Sequence, residues 1–130
     1  MIADTTFAID LMRKEQKAID KLNELTRRGE IVLFTTLTIF ELFSGIKQCK
    51  KPEHEKEKVR SVLKEQLLIH FDEDAAEKAG EIDGTLIKEG IMIQPIDSMI
   101  AGITLTKSEK ILTRNIKHFQ RVQGLKVETY

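Results

Sequence analysis

Cysteine is nearly missing from this chain, with Cys49 alone in 130 residues. A single thiol excludes an internal disulfide and a cysteine-rich zinc site, and it suits a reducing compartment. Tryptophan is absent and aromatics make up 5% of the residues, so base stacking on aromatic rings is not a strong expectation. An excess of either charge is also lacking, because 21 basic residues balance 21 acidic ones. Any affinity for a polyanion must therefore come from local clusters rather than from the net field. No apolar run approaches the roughly 20 residues of a membrane helix, and Asp4 and Asp10 interrupt the stretch that a signal peptide would keep apolar. These absences predict a cytoplasmic protein without membrane association. What remains, 41% apolar and 32% charged residues, fits one globular domain over residues 1–130 with a real core.

Short apolar runs alternate with stretches of helical period, which is the pattern of an α/β domain with a largely parallel sheet. Strands are expected at Met1 to Asp4, Ile31 to Phe34, Leu67 to Phe71, Ile111 to Thr113 and Leu125 to Glu128. Thr5 or Thr6 can cap a first helix, and Ala18, Leu22 and Leu25 mark the apolar face of a second that ends at Gly29. Thr35 or Thr36 caps a third, which carries Leu37, Phe40, Glu41 and Ser44. Gln48 to Glu57 reads as a polar hinge before a helix that runs to about Gln66. From Asp72 to Glu89 the helical signal is clearest, with Ala75, Ala79, Ile82 and Leu86 recurring on one side. Asp97 is expected to open the helix that ends near Thr106.

Against this background three acids are out of place. Asp4 closes the apolar start of the chain, Glu41 lies between Phe40 and Leu42, and Asp97 separates Ile96 from Met99-Ile100-Ala101. Isolated in apolar company, a carboxylate costs on the order of several kcal/mol unless it finds hydrogen bonds, a counter-charge or a cation. Asp4 and Asp97 could each be a helix cap, and Glu41 could lie on a narrow polar stripe beside Ser44. In an open parallel sheet, however, the loops at the carboxyl ends of the strands gather into one crevice. Asp4, Glu41, Asp97 and Asn115 could meet there, and a hard divalent ion such as Mg²⁺ or Mn²⁺ would neutralise the acids.

Four segments, in order along the whole chain, resemble the PIN-domain family, specifically the small ribonucleases of the VapC toxin type. They are Ile2-Ala3-Asp4-Thr5-Thr6, Thr36 to Gly45 with Glu41 four residues before the glycine, Ile96-Asp97-Ser98-Met99-Ile100-Ala101, and Leu112-Thr113-Arg114-Asn115 running to Phe119. The resemblance implies a three-layer α/β/α sandwich around a mainly parallel sheet of four to five strands, and metal-dependent cleavage of RNA. It makes Asp4, Glu41 and Asp97 the metal-binding catalytic acids, with Asn115 at a fourth position where many relatives have Asp. Thr6 and Thr113 become hydroxyls that orient the carboxylates or metal-bound water. It also implies a VapB-type antitoxin as partner and a homodimer.

Hydrolysis assisted by a bound cation needs no catalytic His or Cys. His54 and His70 are accordingly read as structural, and His118 as packing beside Phe119, with contact to a phosphate as the second reading. Phosphate contacts would come from basic residues near Asn115, above all Arg114 and Lys117, within the run Lys107, Lys110, Arg114, Lys117 and Arg121. Two other readings stay open. One is a non-catalytic PIN-like module that binds RNA or protein, toward which Asn115 is a step; the other is a receiver-like phosphoacceptor, which the mid-helix position of Glu41 fits poorly.

Overall fold

A computed structural model describes residues 1–64 and 66–130. The chain runs β1 (Ile2–Ala3), α1 (Thr5–Met12), α2 (Gln16–Arg27), β2 (Leu33–Thr35), α3 (Thr36–Ile46), α4 (Pro52–Leu63), β3 (Leu67–Ile69), α5 (Glu73–Lys88), α6 (Pro95–Thr106), β4 (Lys110–Leu112), α7 (Ile116–Phe119) and β5 (Lys126–Glu128). All four strand pairings are parallel, in the order β3-β2-β1-β4-β5. Leaving β1, the chain builds outward through β2 to β3, then returns across the sheet to place β4 on the other side of β1. The sheet therefore reverses its winding between β1 and β4, the point at whose carboxyl edge open α/β sheets place their ligands.

Alternation along the strands fills two cores. Ile2 and Ile111 face one, with Ile82, Leu86, Ile100, Ile103 and Phe119 of α5, α6 and α7. Ala3 and Leu112 face the other, with Phe7, Ala8, Leu25, Phe34, Leu42 and Val59. Neighbouring residues of a strand point to opposite faces, so these pairs prove a sheet covered on both sides. Among the described residues the fold is a three-layer α/β/α sandwich with five strands. Helices α5 and α6 pack so closely that Gly102 cannot carry a side chain: an added Cβ would lie 2.6 Å from the carbonyl oxygen of Ala75 and 2.8 Å from the nitrogen of Ala79. Both obstacles are backbone atoms, which leaves separation of the helices as the relief.

Several boundaries differ from the sequence expectation. Each strand is two or three residues long, and β2 and β4 are offset from the expected runs, at Leu33–Thr35 and Lys110–Leu112. Asp4, rather than Thr5 or Thr6, caps α1: its side chain accepts the Phe7 N–H. Thr35 caps α3 as expected, accepting from Thr38 N–H. The hinge expected over Gln48 to Glu57 is shorter, since Pro52 fits the first turn of a helix and starts α4. Pro95 does the same for α6, and Asp97 falls inside the first turn instead of opening the helix. The short α7 was not anticipated. Gly29 and Gly90, at φ 70° and 71°, end α2 and α5 in the left-handed conformation that glycine adopts without penalty. Among the described residues, no helix is long and apolar enough to cross a membrane.

At the sheet edge, Glu128 of β5 binds Lys21 of α2 and Arg28 at that helix's C-cap, both at 2.9 Å. Its partial burial alone would raise the carboxyl pKa, but the hydrogen bonds from Lys21 and Arg28 outweigh that and lower it from 4.5 to about 2. A carboxyl with a depressed folded pKa stabilises above its unfolded value and loses that contribution as pH falls toward the folded one. Glu128→Gln is expected to cost about 1 kcal/mol at pH 7, since Arg28 is partly exposed and screened. In urea denaturation, the gap from the wild type should shrink between pH 4.5 and about 2; a gap that is constant over this range would contradict the assignment.

Candidate active site at the carboxyl edge of the sheet

Asp4 leaves β1 directly and is 4% exposed. Four-way contact keeps it in place. The Thr6 hydroxyl donates to Oδ1 at 2.6 Å, the Phe7 N–H to the same oxygen at 3.2 Å, and the Thr113 hydroxyl, arriving from the end of β4, to Oδ2 at 2.5 Å. Its own N–H donates to the Leu112 carbonyl at 3.0 Å. Thr113 is fully buried and also accepts the Asn115 N–H at 2.8 Å. The sequence reading of Thr6 and Thr113 as orienting hydroxyls corresponds to these contacts, and complete burial keeps the Thr113 side chain from touching any ligand in solvent.

Glu41 reaches the same place from α3. The Thr5 hydroxyl, one residue after Asp4, donates to its Oε2. Asp97 approaches from the first turn of α6, where its Oδ2 lies 2.7 Å from His118 Nδ1. The same nitrogen is 2.7 Å from Asn115 Nδ2. With its proton on Nδ1, His118 donates to Asp97; with it on Nε2, Nδ1 accepts from Asn115. His118 thus serves one of the two neighbours at a time, the third acid in one tautomer and the fourth position in the other. This corrects the expectation for His118, whose ring points to the acids rather than packing beside Phe119. The signal was its spacing, three residues after Asn115 and thus on the same helical face.

The three acids feel one another. Burial raises the Asp4 pKa above its usual 3.8; the hydrogen bonds from Thr113, Thr6 and Phe7 oppose this, and the charge of Asp97 adds to it. For Glu41, burial again raises the value from 4.5, the Thr5 hydroxyl lowers it, and the charges of Asp97 and Asp4 raise it further. Mutual repulsion of this kind is what a cation would relieve. Among the described residues, no three His, Cys, Asp or Glu side chains already form a metal cage; Thr6 and Thr113 hold Asp4, Thr5 holds Glu41 and His118 meets Asp97. The donors themselves suit a hard ion. They are carboxylate oxygens plus one amide oxygen, and Glu41 Oε1 and Asp97 Oδ1 have no hydrogen-bond donor among the described residues.

Two grooves flank Glu41. One, about 630 Å³, runs between α3 and the start of α6 past Phe40, Ile96 and Met99. The other, about 550 Å³, lies between α1, α3 and α4 and includes Met12, Arg13, Ile46 and Cys49. Of the basic run near Asn115, Lys107 pairs with Asp72 at 2.9 Å and Lys110 approaches Glu128 at 3.5 Å. Arg121 lines a separate cavity beside α5. Arg114 stands next to the site and Lys117 is exposed on α7.

A model of the PIN domain matches residues 1–125, and the chain belongs to that family. Its relatives include Ribonuclease VapC1 of Methanocaldococcus jannaschii, 31% identical over 98% of this chain and 85% of that protein. Another is the tRNA(fMet)-specific endonuclease VapC of Salmonella typhimurium, 25% identical over 100% of this chain and 96% of that one. The chain is of the VapC type. Among solved structures, DNA-bound VapBC from Salmonella typhimurium superposes with a TM-score of 0.87 at 25% identity, covering 98% and 96% of the two chains. VapBC2 from Rickettsia felis, bound to a promoter DNA fragment, reaches 0.90 at 22% identity over 99% and 97%.

Thr113→Val removes the donor to a buried carboxylate and the acceptor of a backbone N–H in one step. The expected loss is about 2–4 kcal/mol in urea denaturation, whereas Thr113→Ser, which keeps the hydroxyl, should lose less than about half of that. Equal losses in the two variants would show that the methyl packing, not the hydrogen bonds, is what matters.

Proposed function

We propose that the protein is an endoribonuclease of the VapC type, the toxin of a toxin–antitoxin pair, and that it hydrolyses RNA phosphodiester bonds with Mg²⁺ or Mn²⁺ held by Asp4, Glu41 and Asp97. The observation that carries this reading is the convergence of three sequence-distant, mutually repelling carboxylates at the point where the sheet reverses its winding. The relatives named as ribonucleases support the substrate class, and tRNA(fMet), the target named for the Salmonella protein, is the first RNA to test.

In this reading Asp4 is the rigid anchor, fixed by Thr6, Thr113 and a backbone N–H. Glu41 and Asp97 complete the anionic set, and His118 steers Asp97. Asn115 adds an amide oxygen without charge. When bound, the divalent ion lowers the pKa of a water and offsets the charge that builds on the phosphate during attack. Arg114 and Lys117 hold neighbouring phosphates of the RNA. A VapB-type antitoxin belongs to the same reading, consistent with the VapBC complexes among the structural neighbours; so does a homodimer. The apolar-lined grooves on either side of Glu41 suit an inserted peptide. The place of action is the cytoplasm, where the RNA is.

Purified protein is expected to cut RNA in Mn²⁺ or Mg²⁺ and to stop with EDTA. Asp97→Asn should lower the cleavage rate by about 100-fold or more, as for loss of a charged group in a metal-assisted site. Wild-type rates from that variant would refute the assignment and favour a non-catalytic RNA- or protein-binding module.

A further inference from the structure

Asp10 is a second carboxylate in the wrong environment, and nothing in the reaction described so far uses it. It lies on α1 at 2% exposure. Its Oδ2 takes an ion pair from Arg114 Nε at 2.9 Å and a hydrogen bond from the Tyr130 hydroxyl at 2.8 Å. Tyr130 is itself fixed, its ring meeting Phe7 edge-on with centroids 4.9 Å apart. Burial, and then the Asp10 acceptor, push the Tyr130 pKa far above 10, so the phenol stays a donor at physiological pH.

Such an arrangement is a poor device for stability. The desolvation of a buried carboxylate offsets most of its attraction to one partly exposed guanidinium. Its effect on Arg114 is more specific. The pair meets the guanidinium at Nε and leaves Nη1 and Nη2 without a partner among the described residues, on a side chain that is 52% exposed. An arginine anchored through Nε loses rotamer freedom but keeps the planar two-nitrogen edge that matches two phosphate oxygens. Arg114 also adjoins the acids: its N–H reaches the Thr6 hydroxyl at 3.5 Å, and Thr6 donates to Asp4.

We propose that Asp10 and Tyr130 are positioning residues that lock Arg114 at Nε, so that its two terminal nitrogens grip an RNA phosphate beside the acidic site. The proposal rests on the nuclease reading for its substrate. Asp10 touches no RNA and acts only through Arg114.

The test uses the full chain and a fluorescent single-stranded RNA oligonucleotide, bound in EDTA for Kd and cleaved in Mn²⁺ for KM and kcat. Arg114→Ala should raise Kd roughly tenfold and reduce the salt slope by about 0.7, the share of one phosphate contact on a single strand. Asp10→Asn should raise Kd and KM roughly fivefold, with a smaller effect on kcat, and add nothing when combined with Arg114→Ala. Tyr130→Phe, which removes one oxygen and keeps the ring against Phe7, should raise Kd about two- to fourfold; it carries the test if Asp10→Asn fails to fold. Unchanged Kd and KM in Asp10→Asn or Tyr130→Phe, or losses that add in full to that of Arg114→Ala, would overturn the proposal in favour of a tie between α1 and the loop after β4. Non-additive Kd values together with no cleavage by the wild type would uphold the clamp and refute the nuclease reading, so the two failures are distinct.

Discussion

Repulsion between Asp4, Glu41 and Asp97 is the constraint around which the carboxyl edge of the sheet is organised. Each acid carries a pairing that only its location provides: Thr6, Phe7 N–H and Thr113 for Asp4, Thr5 for Glu41, His118 for Asp97. Hydroxyls are well suited to this task. They satisfy a carboxylate without cancelling its charge, so the negative potential that the proposed cation site requires is kept, whereas a lysine or arginine at the same point would neutralise it. No lysine or arginine pairs with Asp4, Glu41 or Asp97 among the described residues; those side chains meet other acids, such as Glu128, Asp72 and Asp10.

Holding like charges together requires a rigid frame, and the fold supplies one. Two cores grip the sheet from opposite faces, and β1, the shortest strand, is its most enclosed, with Ile2 and Ala3 both fully buried. Asp4 follows at once, so its backbone has little freedom. Thr113 follows β4 in the same way, which turns the pairing of β1 with β4 into the bond between Thr113 and Asp4. The close seating of α6 on α5, for which Gly102 is required, fixes the helix that carries Asp97. Stability and site geometry are thus set by the same contacts.

Much of this was legible in the sequence because it was local. An acid inside an apolar helix, as at Glu41, contradicts the helical pattern at one position and stands out. The alternation of short apolar runs with helical periods gave the layer order. Helix starts were misplaced where proline took the first turn, at Pro52 and Pro95, and the strand expected over Leu67 to Phe71 stops at Ile69, where its pairing with β2 ends. Contacts between distant residues could not be read. Thr5 to Glu41, His118 to Asp97 and Tyr130 to Asp10 span 36, 21 and 120 positions, and none leaves a periodic trace. Of the basic run from Lys107 to Arg121, Lys107 and Lys110 pair with Asp72 and Glu128 and Arg121 lines another cavity, which leaves Arg114 and Lys117 nearest the acids.

The account turns on whether the three carboxylates act together as one cation site. Calorimetric titration of Mn²⁺ into the wild type and into Asp4→Asn, Glu41→Gln and Asp97→Asn tests this directly. Saturable binding in the wild type, weakened about tenfold or more by each single substitution, is the expected result. No binding heat up to roughly millimolar Mn²⁺, or an affinity indifferent to all three substitutions, would contradict it.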